Sequence, residues 1–183
     1  MSYLLKTKDL LLRHSSINLT ESLLEYYLRN KIFLEKFEPK RDPSFFTYES
    51  QYNQLEKEIS DEEKKSSFRF YIFEKVDDNK IIGCIGLNNI VWGCFLSCFL
   101  GYKLDGQYIN KGYMTQAVYA VVDFAFNNLN LHRIEGNIMP RNKASLRVLE
   151  KCGFVNEGIS RKYLKINDTW EDHVHMVLIN ENM

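Results

Sequence analysis

Apolar and polar positions recur along the chain with two different periods. Helical spacing of the apolar residues predicts one helix that starts after Thr20 and three more over residues 48–64, 114–129 and 142–152. Alternating or unbroken short apolar stretches predict strands. The predicted strands span residues 9–14, 68–72, 81–87, 94–104, 133–139, 154–166 and 170–179.

Several residues mark where these elements begin and end. Thr20 and Asn142 are typical helix N-caps, and Gly153 is typical of a helix C-terminus. The strand over 68–72 is expected to be half-buried, and the strand over 94–104, apolar on both faces, to be central in the sheet. The element order predicts a single domain over residues 1–183 of the α/β (α+β) class, with a mixed sheet.

Composition excludes several classes of protein. Basic and acidic side chains number 24 each, so bulk electrostatic binding of nucleic acid is not expected. The apolar stretches fall far short of the ~20 residues of a membrane helix, and charges near the start do not fit a signal peptide. Four cysteines without a zinc-binding spacing are expected to be reduced. We therefore expect a cytoplasmic protein that binds neither membrane nor nucleic acid directly.

The most informative stretch runs from the end of the 94–104 strand into the 114–129 helix. The loop between them carries Asn110, Lys111, Gly112, Tyr113, Met114 and Thr115. Free backbone N–H groups at a helix start can hold a phosphate, and Gly112 would let the backbone approach it closely. No Walker motif is present. On spacing alone, a simple turn remains the commoner explanation.

Longer motifs extend this interpretation. The runs GYKLDGQYINKGYMTQAV and LHRIEGNIMPRNKASLRVLEKCGF resemble the GNAT superfamily of acetyl-CoA-dependent N-acetyltransferases. The tail EGISRKYLKINDTWEDHVHMVL and the loop KFEPKRDPSFFTYES resemble the RimJ/RimL branch, which acetylates N-termini of ribosomal proteins. The resemblance covers residues 9–180, and the segment 102–175 is its specific part.

The resemblance implies a GNAT fold and a site for acetyl-CoA. In this fold two neighbouring parallel strands splay apart, here those that end near Leu104 and Met139. The backbone of Tyr102, Lys103 and Leu104 would pair with pantetheine, and Asn142 would hydrogen-bond it. The pyrophosphate would lie on Asn110, Lys111, Gly112, Tyr113, Met114 and Thr115.

The phosphate loop departs from the family pattern. The motif Gln/Arg-x-x-Gly-x-Gly/Ala, aligned on the helix start, falls on Ile109, Gly112 and Met114 and keeps only Gly112. A shifted register keeps Gln107 but displaces the glycine by two residues. We favour the first register, because backbone N–H groups bind the phosphates in either case.

The resemblance leaves the general acid open. Many members use a tyrosine seven residues after the asparagine of the last helix, and this chain has Leu149 there. RimL-like members are expected to use the serine at the position of Ser145. The alternative is that Ser145 only completes a helix cap with Asn142.

The general base is also open. Positions that carry a carboxylate in some members are Asn137 and Lys162 in this chain. The remaining candidates are Glu38, in the loop after the first helix, and Glu135, beside the splay. The alternative for each is an ordinary solvated or ion-paired acid.

Proton chemistry favours one acceptor class. Neutralising an α-amine of pKa about 8 at pH 7 costs about 1.4 kcal/mol, against about 4.6 kcal/mol for a lysine-type amine of pKa about 10.4. A site without a strong base therefore favours the N-terminal α-amine of a ribosomal or other cytoplasmic protein, acetylated directly in a ternary complex. A polyamine or aminoglycoside acetyltransferase and a degenerate CoA-binding module remain alternatives. His173 and His175 share a strand face but have no third ligand at suitable spacing, so no metal is expected.

Overall fold

The computed structural model describes residues 3–183, which form an eight-stranded sheet and four α-helices. The strands are β1 (Leu4–Lys6), β2 (Leu10–His14), β3 (Phe68–Glu74), β4 (Gly83–Val91), β5 (Ser97–Leu104), β6 (Arg133–Ile138), β7 (Val155–Ile166) and β8 (Thr169–Ile179). The helices are α1 (Thr20–Leu34), α2 (Tyr48–Glu63), α3 (Tyr113–Asp123) and α4 (Lys143–Lys151). The strand order across the sheet is β1-β2-β3-β4-β5-β6-β8-β7.

The two faces of the sheet carry different helices. Phe70 and Ile72 of β3 lie in the core that α3 and α4 cover, whereas Tyr71 and Phe73 lie in the core that α1 and α2 cover. Successive side chains of a strand point to opposite faces, so β3 is buried on both. The prediction that this strand is half-buried is wrong, because a helical layer covers each side of it.

The sheet opens at its only parallel strand pair among the described residues. Strands β5 and β6 pair from Ser97 with Arg133 to Phe99 with Glu135. Beyond that point β5 continues beside β4 as far as Leu104, while β6 continues beside β8. The two strands therefore diverge, which confirms the predicted mixed sheet splayed between parallel strands.

The opening changes the burial expected for β5. Only Cys98 and Leu100 of this strand are buried, and Phe99 is 36% exposed. Residues from Gly101 to Leu104 are half-buried. The prediction of a strand covered on both faces is therefore wrong, because the C-terminal half of β5 borders a gap.

The first and third helices differ from the predicted pattern at their ends. A short 3-10 turn precedes α1, so Thr20 is its first residue, and the Thr20 hydroxyl donates to Ile17 O at 2.6 Å rather than capping the helix. The regular α3 ends at Asp123, and a wider turn over Phe124–Asn128 follows it. Strand β1 is too short for its pattern to have predicted it.

Other boundaries follow the sequence closely. The Asn142 side chain accepts a hydrogen bond from Ser145 N–H and caps α4, and Gly153 ends that region with φ of +86°. Asn167 and Asp168, with φ of +46° and +66°, form the turn between β7 and β8. None of the helices formed by residues 3–183 has the length and hydropathy that crossing a membrane requires.

Candidate active site

A cavity of about 570 Å³ occupies the opening between β5 and β6. It extends from the start of α3, along the free edge of β5 and past the start of α4. It ends at the C-terminus of α1 and the hairpin formed by β7 and β8. All but two of the site residues predicted from the sequence line this cavity. They are Glu38, Tyr102, Lys103, Leu104, Asn110, Gly112, Tyr113, Met114, Thr115, Asn142 and Ser145.

The start of α3 presents free backbone donors to the cavity. Its first intrahelical hydrogen bond runs from Gln116 N–H to Gly112 O at 3.1 Å, and no side chain in the described part of the chain caps the helix. The N–H groups of Tyr113, Met114 and Thr115 therefore have no acceptor within the helix. The helix dipole adds partial positive charge at the same place, so the arrangement suits an anion.

Gly112 has this position because of its backbone conformation. Its φ is +76°, in the left-handed region that side chains other than glycine rarely adopt. A Cβ added there would meet no atom within 4 Å, so crowding is not the reason. The adjacent Lys111 does not line the cavity, and its Nζ lies 4.6 Å from the centre of the Tyr108 ring.

The free edge of β5 forms a second wall. Tyr102, Lys103 and Leu104 pair with β4 on one side, and no described strand pairs with them on the other. Backbone amides along such an edge can hydrogen-bond an extended ligand as if it were another strand. This edge and the donors of α3 fit the amides and the pyrophosphate of acetyl-CoA.

Ser145 and Tyr102 form a hydroxyl pair between α4 and β5. The Ser145 Oγ donates to the Tyr102 hydroxyl at 3.0 Å, and that hydroxyl donates to Ser145 O at 3.0 Å. Burial raises the pKa of Tyr102 well above its ordinary value, although the hydrogen bond from Ser145 opposes the rise. The helix cap uses the Ser145 N–H, so capping leaves the Ser145 hydroxyl available for other contacts.

Leu149, at the position where the family resemblance implies a tyrosine in many members, belongs to the core. Its side chain is fully buried. A Cβ added to Gly136 would lie 2.7 Å from Leu149 Cδ1, so helix α4 packs tightly on β6 here. No acidic group replaces the tyrosine at this position, whereas Ser145 and Tyr102 both line the opening.

Glu38 lines the cavity within a small ionic cluster. Its carboxylate accepts hydrogen bonds from Lys103 Nζ at 2.8 Å and from the Arg41 guanidinium at 3.2 Å. Burial alone would lower the pKa of Lys103, but the neighbouring Tyr27, Cys84 and Glu38 outweigh it and raise that pKa. The Lys103–Glu38 pair fixes the loop after α1 against the edge of β5.

Glu135 is not brought to the cavity. Its carboxylate lies 2.6 Å from His175 Nδ1 and 3.2 Å from the Arg133 guanidinium. Partial burial alone would raise the pKa of Glu135, but the hydrogen bonds to His175 and Arg133 outweigh it and lower the pKa. The structure therefore places Glu135 beside the splay, as expected, but with its side chain held in an ion pair.

Asn137 of β6 and His173 of β8, which sequence reasoning did not select, also line the cavity, as do Arg147 and Lys151 of α4. The Asn137 amide donates to the Tyr163 hydroxyl at 3.2 Å, and its Oδ1 is buried without a partner among the described residues. His173 is 3% exposed. The strand positions of Asn137 and His173 could be predicted, but not the irregular course of β7. Its pairing with β8 shifts between Ser160 and Leu164, and Tyr163 in that stretch contacts both residues.

The wall near these two residues is otherwise largely apolar, with Phe33, Phe37, Leu164 and Ile166. Glu38 is the one carboxylate among the described residues that line the cavity. Within residues 3–183, no three His, Cys, Asp or Glu side chains are grouped closely enough to hold a metal ion.

Comparison with known proteins agrees with this geometry. Residues 9–155 match the family described as the acetyltransferase (GNAT) domain. A probable N-acetyltransferase, YjcK of Bacillus subtilis (strain 168), is 41% identical over 177 residues, which cover 97% of each chain. The [ribosomal protein uS5]-alanine N-acetyltransferase of Escherichia coli (strain K12) is 37% identical over 153 residues, covering 83% of this chain and 78% of that protein.

A solved structure is also closely similar. The ribosomal-protein-S5-alanine acetyltransferase of Vibrio fischeri superposes with a TM-score of 0.92 and 35% identity, covering 100% of this chain and 98% of that chain. The splayed sheet, the free donors of α3 and these relatives lead to one conclusion. The chain belongs to the GNAT family and is an N-acetyltransferase that uses acetyl-CoA.

Proposed function

We propose that this enzyme acetylates the N-terminal α-amine of a protein, with a ribosomal protein that begins with alanine as the first candidate. The observation that carries the proposal is the cavity beyond the sheet opening, where Glu38 is the only carboxylate among the described lining residues and is already paired with Lys103 and Arg41. A polyamine carries several cations and would call for several unpaired carboxylates. The similarity to uS5-alanine acetyltransferases supports the same acceptor class.

The cavity then has two sides with different tasks. We call the β5 edge (Tyr102–Leu104), the loop and helix start (Asn110–Thr115) and Asn142 the donor side. On this side the α3 N–H groups would hold the pyrophosphate, with Lys111 adding charge, and the β5 edge would hold pantetheine. Because Asn142 Oδ1 caps α4, its amide nitrogen is the group left to donate to pantetheine.

We call Phe33, Phe37, Asn137, His173 and the hairpin residues Leu164 and Ile166 the acceptor side. Its apolar surface suits a small N-terminal side chain such as that of alanine. Glu38 would hold Lys103 and the loop after α1 in place, so that the acceptor side keeps its shape.

Ser145 is the proposed source of the proton that the leaving thiolate needs. Its O–H, which donates to the Tyr102 hydroxyl, would turn towards the sulfur and give up its proton. The Tyr102 O–H, which donates to Ser145 O, would then turn to Ser145 Oγ and replace that proton. Burial raises the pKa of Tyr102, so its phenol is protonated at neutral pH. Backbone N–H groups at the opening, near Tyr102, would stabilise the oxyanion.

Release of CoA thiol with a panel of acceptors tests the proposal. The panel holds peptides that begin with alanine or serine, the same peptides with a blocked N-terminus, spermidine and an aminoglycoside. We expect turnover with free N-termini only, and mass spectrometry should locate one acetyl group on the first residue. Turnover restricted to spermidine or the aminoglycoside, or CoA binding without turnover on any acceptor, would contradict it.

A further inference from the structure

Two histidines on the same face of β8 differ in how many of their ring nitrogens are hydrogen-bonded. His175 uses both ring nitrogens, with Nδ1 at 2.6 Å from the Glu135 carboxylate and Nε2 at 2.7 Å from Ser160 Oγ. His173 uses only Nδ1, which lies 3.2 Å from Glu171 O. No hydrogen-bond partner of His173 Nε2 occurs within residues 3–183, although His173 is nearly fully buried and lines the cavity.

The partner of Nδ1 fixes the tautomer of His173. A backbone carbonyl can only accept a hydrogen bond, so Nδ1 carries the proton and donates to Glu171 O. In the neutral ring the lone pair is then on Nε2. The structure therefore holds a proton acceptor at the wall of the cavity, in the correct tautomer and without a partner among the described residues.

A second unused acceptor lies beside it. Asn137 Oδ1 is buried and has no partner in the described part of the chain, whereas Nδ2 of the same amide donates to Tyr163. Asn137 pairs with His175 across β6 and β8, so it is the diagonal neighbour of His173 on the same face. Diagonal neighbours are about 7–8 Å apart at Cα, a spacing that a small donor group between the two side chains can bridge.

A buried acceptor without a donor is costly, and Asn137 Oδ1 is such an atom among the described residues. Asn137 and His173 both line the cavity, so a donor bound there can reach both side chains. We propose that the acceptor amine binds between Asn137 Oδ1 and His173 Nε2, and that His173 is the general base of the transfer. This inference rests on the proposed function only in that the acceptor is an amine.

The transfer removes two protons from the ammonium group and adds one proton to the sulfur. The bound ammonium gives one proton to His173 Nε2, and the neutral amine attacks the thioester carbonyl to form the C–N bond. As the intermediate collapses, the nitrogen loses a second proton to water, and the C–S bond breaks with its electron pair on sulfur. The thiolate takes a proton from Ser145, which Tyr102 and then solvent replace, so each turnover releases one proton in total.

Few titratable groups of the described residues lie around His173 and Asn137. Tyr163 of β7 packs against the His173 ring, with 5.5 Å between ring centres, and also against His175. Glu38 and Lys103 line the same cavity and are paired with each other. Glu171 contacts the ring through its carbonyl, since its carboxylate pairs with Arg141.

The test is the pH dependence of kcat/KM for His173→Gln with the amine that the wild-type enzyme acetylates. We expect a loss of about 100-fold or more at pH 7, which is typical of a lost general base. The loss should shrink above the α-amine pKa of about 8, where the substrate is already neutral. The Kd of acetyl-CoA should not change, and Asn137→Ala should raise the acceptor KM about 10-fold with a wild-type pH profile.

Two matched variants isolate the effect. His132→Gln, at an exposed histidine, should leave kcat/KM unchanged, and His175→Gln should give only a loss that is constant with pH. A pH-independent loss for His173→Gln, or the pH-dependent loss in Glu38→Gln instead, would overturn the proposal.

A second measurement uses only the wild-type protein and needs no acceptor. ¹⁵N NMR of the histidine rings in the wild-type protein should show His173 as the Nδ1–H tautomer when neutral, and an Nε2–H tautomer would refute the base assignment. If only spermidine or an aminoglycoside is acetylated, the proposed function fails, and the same pH comparison with that amine still decides the role of His173.

Discussion

The donor side and the acceptor side of the cavity are built from different parts of the polypeptide. The donor side consists mainly of backbone groups, namely the free N–H groups of α3 and the unpaired edge of β5. The acceptor side consists of side chains, and its polar members, Asn137 and His173, come from two neighbouring strands. A backbone site depends less on sequence than a side-chain site, which depends on single residues. The proposed phosphate site should therefore tolerate Met114 at the second glycine position of the motif.

Outside the acceptor side, the largest effect is expected for the hydroxyl pair of Ser145 and Tyr102 between α4 and β5. Ser145→Ala should lower kcat about 100-fold, because the thiolate loses its proton donor, and Tyr102→Phe should lower it about 10-fold. The Kd of CoA should stay within about twofold, since the cap at Asn142 uses the Ser145 N–H.

Steady-state kinetics and calorimetry measure these two quantities. Tyr119→Phe removes an exposed hydroxyl that donates to Lys151 O and should not change kcat. A normal kcat for Ser145→Ala would show that Ser145 has only its structural role.

A pair of glycine variants separates the backbone contribution to CoA binding from stability. Gly112 and Gly93 have φ of +76° and +75°, and an added Cβ meets nothing within 4 Å at either. Replacing either with Ala should lower the free energy of unfolding by about 1–2 kcal/mol. Only Gly112→Ala should also raise the Kd of CoA, by about 10-fold. Equal Kd values for the two variants would contradict phosphate binding at the start of α3.

The ion pair of Glu135 predicts an effect on stability rather than on catalysis. Because the folded-state pKa of Glu135 is lowered, its contribution is fully present above the ordinary pKa of about 4.5 and is lost as the pH falls through the lower folded value. Glu135→Gln should therefore cost about 1 kcal/mol at pH 7 and little at pH 3, by urea denaturation. Its kcat should remain within about threefold of the wild type, and a loss of 100-fold would restore Glu135 as a catalytic candidate.

The smallest effect is expected for Lys111. Its side chain is exposed and lies on aromatic rings, so Lys111→Ala should raise the Kd of CoA only two- to threefold. The difference should disappear in high salt, where an exposed charge is screened. Lys57→Ala on α2 serves as the control, and a tenfold change for Lys111→Ala would mean that its charge matters more than the backbone does.

The same contrast explains what the sequence could predict. Gly112, Asn142 and Gly153 are required by local backbone geometry, so short motifs located the start of α3 and both ends of α4. The splay also followed from the family resemblance, and the structure confirms it.

The acceptor side could not be predicted in the same way. Alternation placed His173 and His175 on one face, but which nitrogen is bonded depends on Glu135, Ser160 and the carbonyl of Glu171. The irregular pairing of β7 that positions Tyr163 gives no clear pattern in the sequence. Glu135 was selected for its position along the chain, and only the structure shows that Arg133 holds its side chain.

The divergence of β5 and β6 has a mechanical consequence. The sheet consists of a five-stranded half and a three-stranded half, joined along the backbone through the residue pairs from Ser97–Arg133 to Phe99–Glu135. A ligand whose amides pair with the edge of β5 would fill the gap between the two halves and connect them by additional contacts. In the proposed complex, binding of the acetyl donor would therefore be linked to the rigidity of the whole sheet, and its free energy would add to that of folding.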